Sequence, residues 1–452
     1  MAIQIALYAL LGFFIILIEI RRKKEIVFDM MSFFNLFFLL VYSIVPIILL
    51  YGGVEEYASS NLSHGVFYFG KSIFTPFIII LAYLLFLGGY YWSIPRSLVE
   101  DLRFEFLLKE ETVLKIIPFL FVILFFALYV YIMQFGGFRE AIAVAELYRN
   151  GKLDPPKFGF MMRFFQIDHF ILYYTFFKVF LEKKSEYGSV YMIFFILAFA
   201  VFILISVLFN SRSYIILTLL GFYVIGAIYK NRYYLLGVTL SVLAAVLIIE
   251  YGDPFFLSFP TLYNEGFEAF AEEFLRAKEY ESSIGFAGIV RNFSHPIVSL
   301  ETALAIAGYS LEFNKFFELI VSLLNLIPQK LTGYTPPKSI MEVNTFYTYG
   351  MVGHPAILPG LLGNFAYSLG AIGVWAGSFF YGVQGGVLNE LFLNIYRKYK
   401  GFIVFYYLFA FNYGFFVFKG DFIHGLKGNF LLIVSTLTLL LFSKIYKEKK
   451  YV

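Results

Sequence analysis

The residues with the clearest chemical potential sit in one long interruption of an otherwise apolar chain, about 251–353. Arg291 and His295 are four apart in Arg-Asn-Phe-Ser-His-Pro. A guanidinium holds a phosphate through two parallel hydrogen bonds, and an imidazole takes up a proton near neutral pH. On a helix the two would share a face, although Pro296 favours an extended ending. Glu301 follows as a second candidate proton acceptor, so the general base stays open between His295 and an outer-loop glutamate. Arg276 precedes them, and Asn344, Tyr347 and His354 lie where the chain turns apolar again. Asn, Tyr and His on such a rim suit sugar hydroxyls, and equally an interfacial aromatic belt.

Arg212 stands apart from this stretch. It lies in Asn-Ser-Arg-Ser, a connection of a few residues between two apolar runs. A charge at that depth is costly and marks a role, and the alternative is a side chain reaching lipid phosphates. Arg139, Arg149 and Arg163 make another loop basic at intervals, which attracts an anionic head group or simply forms a solvated face beside Glu140 and Glu146. His424 is a lone histidine in the last such loop.

The elements that must position these residues are membrane helices. The chain has 452 residues, 60% hydrophobic and 15% charged, against about 25% charged for a soluble domain. Eleven apolar runs suit spans of about 17–25 residues, and none alternates as a barrel strand does. They fall at about 2–20, 30–50, 72–92, 116–134, 165–181, 189–209, 213–229, 234–250, 356–386, 402–418 and 429–443. The expected fold is therefore all-α: one polytopic membrane domain with eight spans in 1–250, a large external loop in 251–353, and three spans in 354–452. The first run has no charged residues before it and no small-residue cleavage site after it, so it reads as a retained span. The ninth is longer than a span needs, and its first part reads as tilted or re-entrant.

If alternate connections share a side, those after spans 1, 3, 5, 7 and 9, with the C-terminal tail, hold 19 of the 35 Lys and Arg in about 66 residues. That set is cytoplasmic by the positive-inside rule. The N-terminus and the 251–353 stretch are then outside. Within that stretch, Asn264 reads as the N-cap of an amphipathic helix carrying Phe267, Phe270, Ala271, Phe274 and Leu275 on one face. Arg139 to Arg149 reads as a second short helix, stopped by Asn150-Gly151. Phe316 to Ile327 is apolar but too short to cross.

Several classes are excluded. Cysteine is absent, so disulfides and thiol catalysis are ruled out. The five histidines are scattered and no Asp-x-Asp or Glu-x-Asp pair occurs on an outer loop, so no metal site is expected. There is no phosphate-binding glycine loop and no Gly-x-Ser-x-Gly elbow. No basic block suits nucleic acid.

Three stretches carry a resemblance. They are Gln134-Phe135-Gly136-Gly137-Phe138-Arg139 before a short helix, Asn210-Ser211-Arg212-Ser213 opening a span, and Asn344-Thr345 with the glycine-rich Leu358 to Gly373. Together, over about 130–390, the chain resembles the O-antigen polymerase, or oligosaccharide repeat-unit polymerase, family. The resemblance implies a multi-span glycosyltransferase of the GT-C kind in the cytoplasmic membrane. Such an enzyme joins polyprenyl-diphosphate-linked oligosaccharides into a surface polysaccharide on the outer face, without metal or other cofactor. Membrane lipids, a chain-length regulator and a flippase are the partners it implies. It maps the family's span-opening arginine onto Arg212, its loop arginine onto Arg139, and its large-loop residues onto Arg276, Arg291 and His295. An Arg-x10-Gly pattern seen in some members is not met, because Tyr223 and Thr302 stand eleven residues after Arg212 and Arg291. A ligase-like transferase acting on another acceptor, and a lipid-linked oligosaccharide flippase, are the competing readings.

Overall fold

The structure is a computed structural model. It describes residues 1–54, 64–100, 102–106, 110–149, 157–182, 186–209, 212–282, 285–306, 339–350, 357–441 and 443–447. In chain order the helices are α1 (Ala2–Arg21), α2 (Met30–Gly52, with a π-turn at Leu40–Ile44), α3 (Phe74–Tyr90), α4 (Glu110–Met133) and α5 (Phe138–Arg149). Next come α6 (Gln166–Phe176, extended by a π-turn Phe177–Glu182), α7 (Gly188–Leu208), α8 (Arg212–Lys230), α9 (Leu235–Glu265), α10 (Phe267–Ser282) and α11 (Gly285–Ile306). The last are α12 (Ile340–Tyr349), α13 (Gly360–Lys398), α14 (Ile403–Lys419), α15 (Phe422–Gly428) and α16 (Phe430–Leu441). Two strands, β1 (Leu102–Phe106) and β2 (Ser443–Lys447), pair antiparallel.

The chain is a multi-pass helical membrane protein. Among the described residues, seven helices are long and apolar enough to cross a bilayer: α1, α2, α3, α4, α7, α13 and α14. The other four expected spans are helical too. Of these, the apolar stretches of α8 (Tyr214–Lys230) and α16 (Phe430–Leu440) are shorter than the spans containing α3 (Phe74–Glu100) and α14 (Lys400–Lys419), α6 carries Asp168, His169 and Lys178, and α9 carries Glu250 and Asp253.

Contacts gather several of the connections into two groups. On one side, Lys24 Nζ donates to Tyr233 OH at 3.1 Å and Arg397 pairs with Glu25. Arg96 meets Glu390 at 3.1 Å, and Lys178 meets Glu110 at 3.2 Å. On the other, Gln4 Nε2 donates to the Gly70 and Ser72 carbonyls, both at 3.0 Å. There too His64 N–H donates to Thr348 O at 3.0 Å, and the Arg163 guanidinium lies 5.8 Å from the Phe430 ring centre.

Small residues set the tightest helix contact. A Cβ on Gly382 would lie 2.1 Å from Phe86 O, and one on Gly386 2.3 Å from Tyr90 O, so only glycine lets α13 lie this close to α3. The long ninth run does break: Leu369 and Gly370 (φ 61°) leave helical geometry within α13, separating its buried first nine residues from the rest.

Two local expectations are corrected. Asn264 does not cap the amphipathic helix. Instead α9 continues to Glu265, and Gly266 at φ 95° makes the turn into α10. With 31 residues, α9 is roughly 46 Å long, well beyond a hydrocarbon core of about 30 Å, and α10 folds back on its end. Phe270 and Phe255 meet there edge to face at 6.1 Å. Pro296 does not end a helix either; α11 runs through it, with Pro296 packed on Gly360, where a Cβ would be 2.4 Å away. Phe316 to Ile327 lies outside the described residues.

Candidate functional site

Two regions compete for the site. The first is a cap on the second group of connections, built by α11, α12, the turn around Gly65–Gly70 and the start of α13. Its polar side chains are used internally. Asn344 is fully buried; its Nδ2 donates to Ile357 O at 2.8 Å, and Tyr367 OH donates to its Oδ1 at 3.0 Å. Tyr347 is half-buried and stacks on Tyr367 with ring centres 6.5 Å apart. Glu301 is 4% exposed and accepts from Gly70 N–H and from Thr75. Burial pushes its carboxyl up to about 7 against those two hydrogen bonds. His295 is half-buried on α11; its Nδ1 is enclosed with no partner, and burial pushes the imidazole down to about 4. Arg291 is half-buried one turn before it.

The second region is a groove of about 1480 Å³ between α4 and α6 on one wall and α14 and α16 on the other. That exceeds the roughly 300–1,000 Å³ of a pocket for a drug-sized ligand. Its middle is apolar, with Leu120, Ile123, Phe170, Phe405 and Leu439 among the lining side chains. Alongside α6 it extends on the order of 25 Å. Glu110, Lys178, Glu182, Lys398 and Lys400 line one end, and Lys157, Arg163, Lys419 and Lys427 the other.

That second end is the more unusual chemically. Arg163 closes a 3-10 turn, Gly159–Phe165, that leads into α6. Burial pulls its guanidinium below its ordinary value, without bringing it near neutrality. Lys427 is half-buried on α15, and its ammonium is pulled down first by burial and then by the Arg163 charge, while Asp421 and Glu342 oppose the shift. Lys419 ends α14 with Nζ 4.9 Å from the Phe415 ring centre. Three cations thus converge from three separate elements at the mouth of an apolar groove. About one and a half turns deeper lie His169 on α6 and Asn412 on α14, both lining it.

The structure does not gather the sequence-derived candidates into one site. Among the candidates whose side chains are described, Arg163 alone lines the groove. Arg291, His295, Glu301, Asn344 and Tyr347 belong to the cap, and no groove-lining side chain is among them. Arg139 is exposed on α5, and Arg276 is 77% exposed, paired with Glu273 at 3.2 Å on the same helix. Arg212 opens α8, whose Tyr214 and Leu217 line the groove; the side chains of Arg212, Arg149 and His424, and all of His354, lie outside the described residues. The cap and groove touch through Phe293 of α11 and Phe418 of α14, with ring centres 5.3 Å apart.

Sequence reasoning missed Lys419, Lys427, His169 and Asn412. A signal existed for His169, because an ionisable side chain inside an apolar span is a functional candidate by default. The lysines had no such signal, since Arg163, the cation they join at the groove mouth, lies more than 250 residues away. Neither a family model, nor a curated protein, nor a solved structure matches this chain.

Proposed function

We propose that this protein is a membrane glycosyltransferase that polymerises polyprenyl-diphosphate-linked oligosaccharide units on the outer face of the cytoplasmic membrane. One observation carries the reading: a long apolar groove, open between helices, ends at Arg163, Lys419 and Lys427. A polyprenyl tail matches the apolar length, and its diphosphate matches the three cations. Guanidinium and ammonium groups in a partly desolvated site stabilise the charge that develops on a departing diphosphate. The positive-inside rule supports an outer position for this cationic end, because the Lys-rich and Arg-rich connections lie at the other end.

Arg212 joins this reading through α8, which forms part of the groove wall. A phosphate held by two guanidinium donors would be lost on substitution by lysine as well as by alanine. Both Arg212→Lys and Arg212→Ala are expected to lower chain extension about thirtyfold to a thousandfold, corresponding to roughly 2–4 kcal/mol. Near-normal polymer from the lysine variant would return Arg212 to the role of a lipid anchor.

A second reading draws on the opposite end. Lys398 and Lys400 line the inner mouth, so the groove offers cations at both membrane surfaces, as a flippase for the same lipids would. Purified protein in sealed vesicles, supplied with lipid-linked repeat units on the outer side, separates the two. Chain growth without translocation supports the polymerase; translocation without chain growth supports the flippase and contradicts the polymerase.

A further inference from the structure

We infer that lipid enters and leaves the groove only at the end bearing Arg163, Lys419 and Lys427, because the β1–β2 ribbon straps the two walls together at the other end. The inference rests on the glycosyl-transfer reading above for the identity of the lipid. The closure itself rests on the walls and the ribbon.

The walls are joined through the chain that leads out of each. Glu110, the first residue of α4, lines the groove at the end that Lys398 and Lys400 also line. Leu439, near the end of α16, lines the facing wall. β1 ends at Phe106, four residues before Glu110, and β2 begins at Ser443, four residues after Leu439. The two strands pair antiparallel over five residues, from Leu102 opposite Lys447 to Phe106 opposite Ser443. Phe106 and Ser443 are thus the pair closest to both helices, on backbones about 4.8 Å apart. Four residues reach at most about 14 Å, so neither groove-lining end can draw farther than that from the ribbon.

The ribbon is itself anchored. A two-stranded ribbon alone is only marginally stable in water, and this one is no local hairpin, since its strands lie more than 330 residues apart. Immediately before β1, Asn394 Nδ2 of α13 donates to Val99 O at 2.9 Å and to Glu100 O at 3.1 Å. Arg96 pairs with Glu390 of the same helix at 3.1 Å, and Leu102 packs against the main hydrophobic core. On the α4 wall, Lys178 ties α6 to Glu110 at 3.2 Å.

The cationic end is held differently. There α4 stops lining the groove at Ile123, ten residues before its own end. The turn Gly159–Phe165 takes its place and meets α16 through the Arg163 guanidinium, 5.8 Å from the Phe430 ring centre. That lies close to the outer limit of about 6 Å for a cation–π contact. A diphosphate offers the same guanidinium two hydrogen bonds at once and outcompetes such a contact. Side-chain movement therefore opens this end, whereas parting the walls at the ribbon requires breaking backbone hydrogen bonds. An apolar tail can slide into the groove from the bilayer, but a charged head group with its glycan cannot pass from one end to the other. The groove is loaded from one leaflet, and in the orientation taken above that leaflet is the outer one.

The test uses the full-length protein in sealed vesicles with a fluorescent polyprenyl diphosphate, whose translocation is read by a quencher that cannot cross the bilayer. The natural protein should translocate it no faster than protein-free vesicles do. Phe104→Pro with Glu105→Pro puts a residue without an N–H at two successive positions, so at least one ladder donor is lost whichever of them faces β2. Translocation should then rise about tenfold or more, as the loss of one or two backbone hydrogen bonds allows. The chain has no cysteine, so Glu105→Cys with Lys444→Cys, register partners in the ribbon, can form only the intended disulfide within one chain. Once oxidised, this variant should keep lipid-diphosphate binding and chain growth unchanged. Translocation by the natural protein, no rise in a proline variant that still binds the lipid, or loss of binding on oxidation would each overturn the strap. The disulfide variant retains the ladder, so it decides the question even where the proline variant fails to accumulate. A natural protein that neither translocates lipid nor extends chains would contradict the transferase reading and leave the strap standing.

Discussion

The cap and the groove are built from similar residue types and put them to different use. In the cap, Asn344, Glu301 and Tyr367 spend their hydrogen-bonding capacity on neighbours, with Asn344 and Glu301 under 5% exposed. In the groove, Arg163, Lys427, His169 and Asn412 face an open volume of about 1480 Å³. A buried polar group that is satisfied stabilises and specifies a fold, whereas one that also borders an open volume can meet a ligand there. Position relative to the open volume, and not the residue type, separates the two.

The sharpest way to break this contrast is to remove the groove cations. Arg163→Ala combined with Lys427→Ala is expected to lower polymer formation about a thousandfold, as loss of catalytic electrostatic groups does, while protein accumulation in the membrane is unchanged. Quantified polymer ladders from cells and from purified protein read this out. Retained polymerisation would move the site away from the groove.

Glu301 gives the next effect, on stability and not on turnover. In the fold its carboxyl holds a proton up to about 7, against an ordinary value of 4.5. The unfolded chain therefore releases that proton first, and folding loses stability as pH rises from about 4.5 through about 7. The loss is on the order of 3 kcal/mol and is fully developed above that window. Thermal unfolding in detergent from pH 5 to 8 should show this slope, and Glu301→Gln should flatten it. A slope that survives in Glu301→Gln would assign the pH dependence to another group.

Asn344→Ala should cost about 1–3 kcal/mol, because Ile357 O and Tyr367 OH would lose a buried partner. Denaturation should shift accordingly, with kcat of the folded fraction unchanged. A lower kcat at equal stability would restore Asn344 as a sugar contact.

The smallest effect belongs to Arg276. It is exposed, and its pair with Glu273 lies on one helix surface. Arg276→Ala should change stability by less than about 0.5 kcal/mol and leave activity intact. A tenfold activity loss would show that α10 reaches a substrate.

What could be read from the sequence follows from how far apart the determinants lie. Hydrophobic runs are local, so each expected span falls on a helix at or near its place, and seven of these helices are long and apolar enough to cross a bilayer. The short helix at Phe138–Arg149 was also readable, because its stop signal is adjacent. The end of α9 was not: its polar composition past Glu250 looks like a loop, yet packing against α10 keeps it helical to Glu265. The groove was hidden for the same reason, since its walls come from helices separated by more than 200 residues. Arg291 and His295 looked catalytic by type and spacing, and their enclosure depends on α11 lying against α13, which no short motif encodes.

The most direct measurement is a structure of the full-length protein in nanodiscs with bound polyprenyl diphosphate. The account predicts phosphate density against Arg163 and Lys427, with the tail running between α4 and α16. Phosphates seated instead at Arg291 and Asn344 in the cap, with the groove filled by ordinary phospholipid, would contradict it.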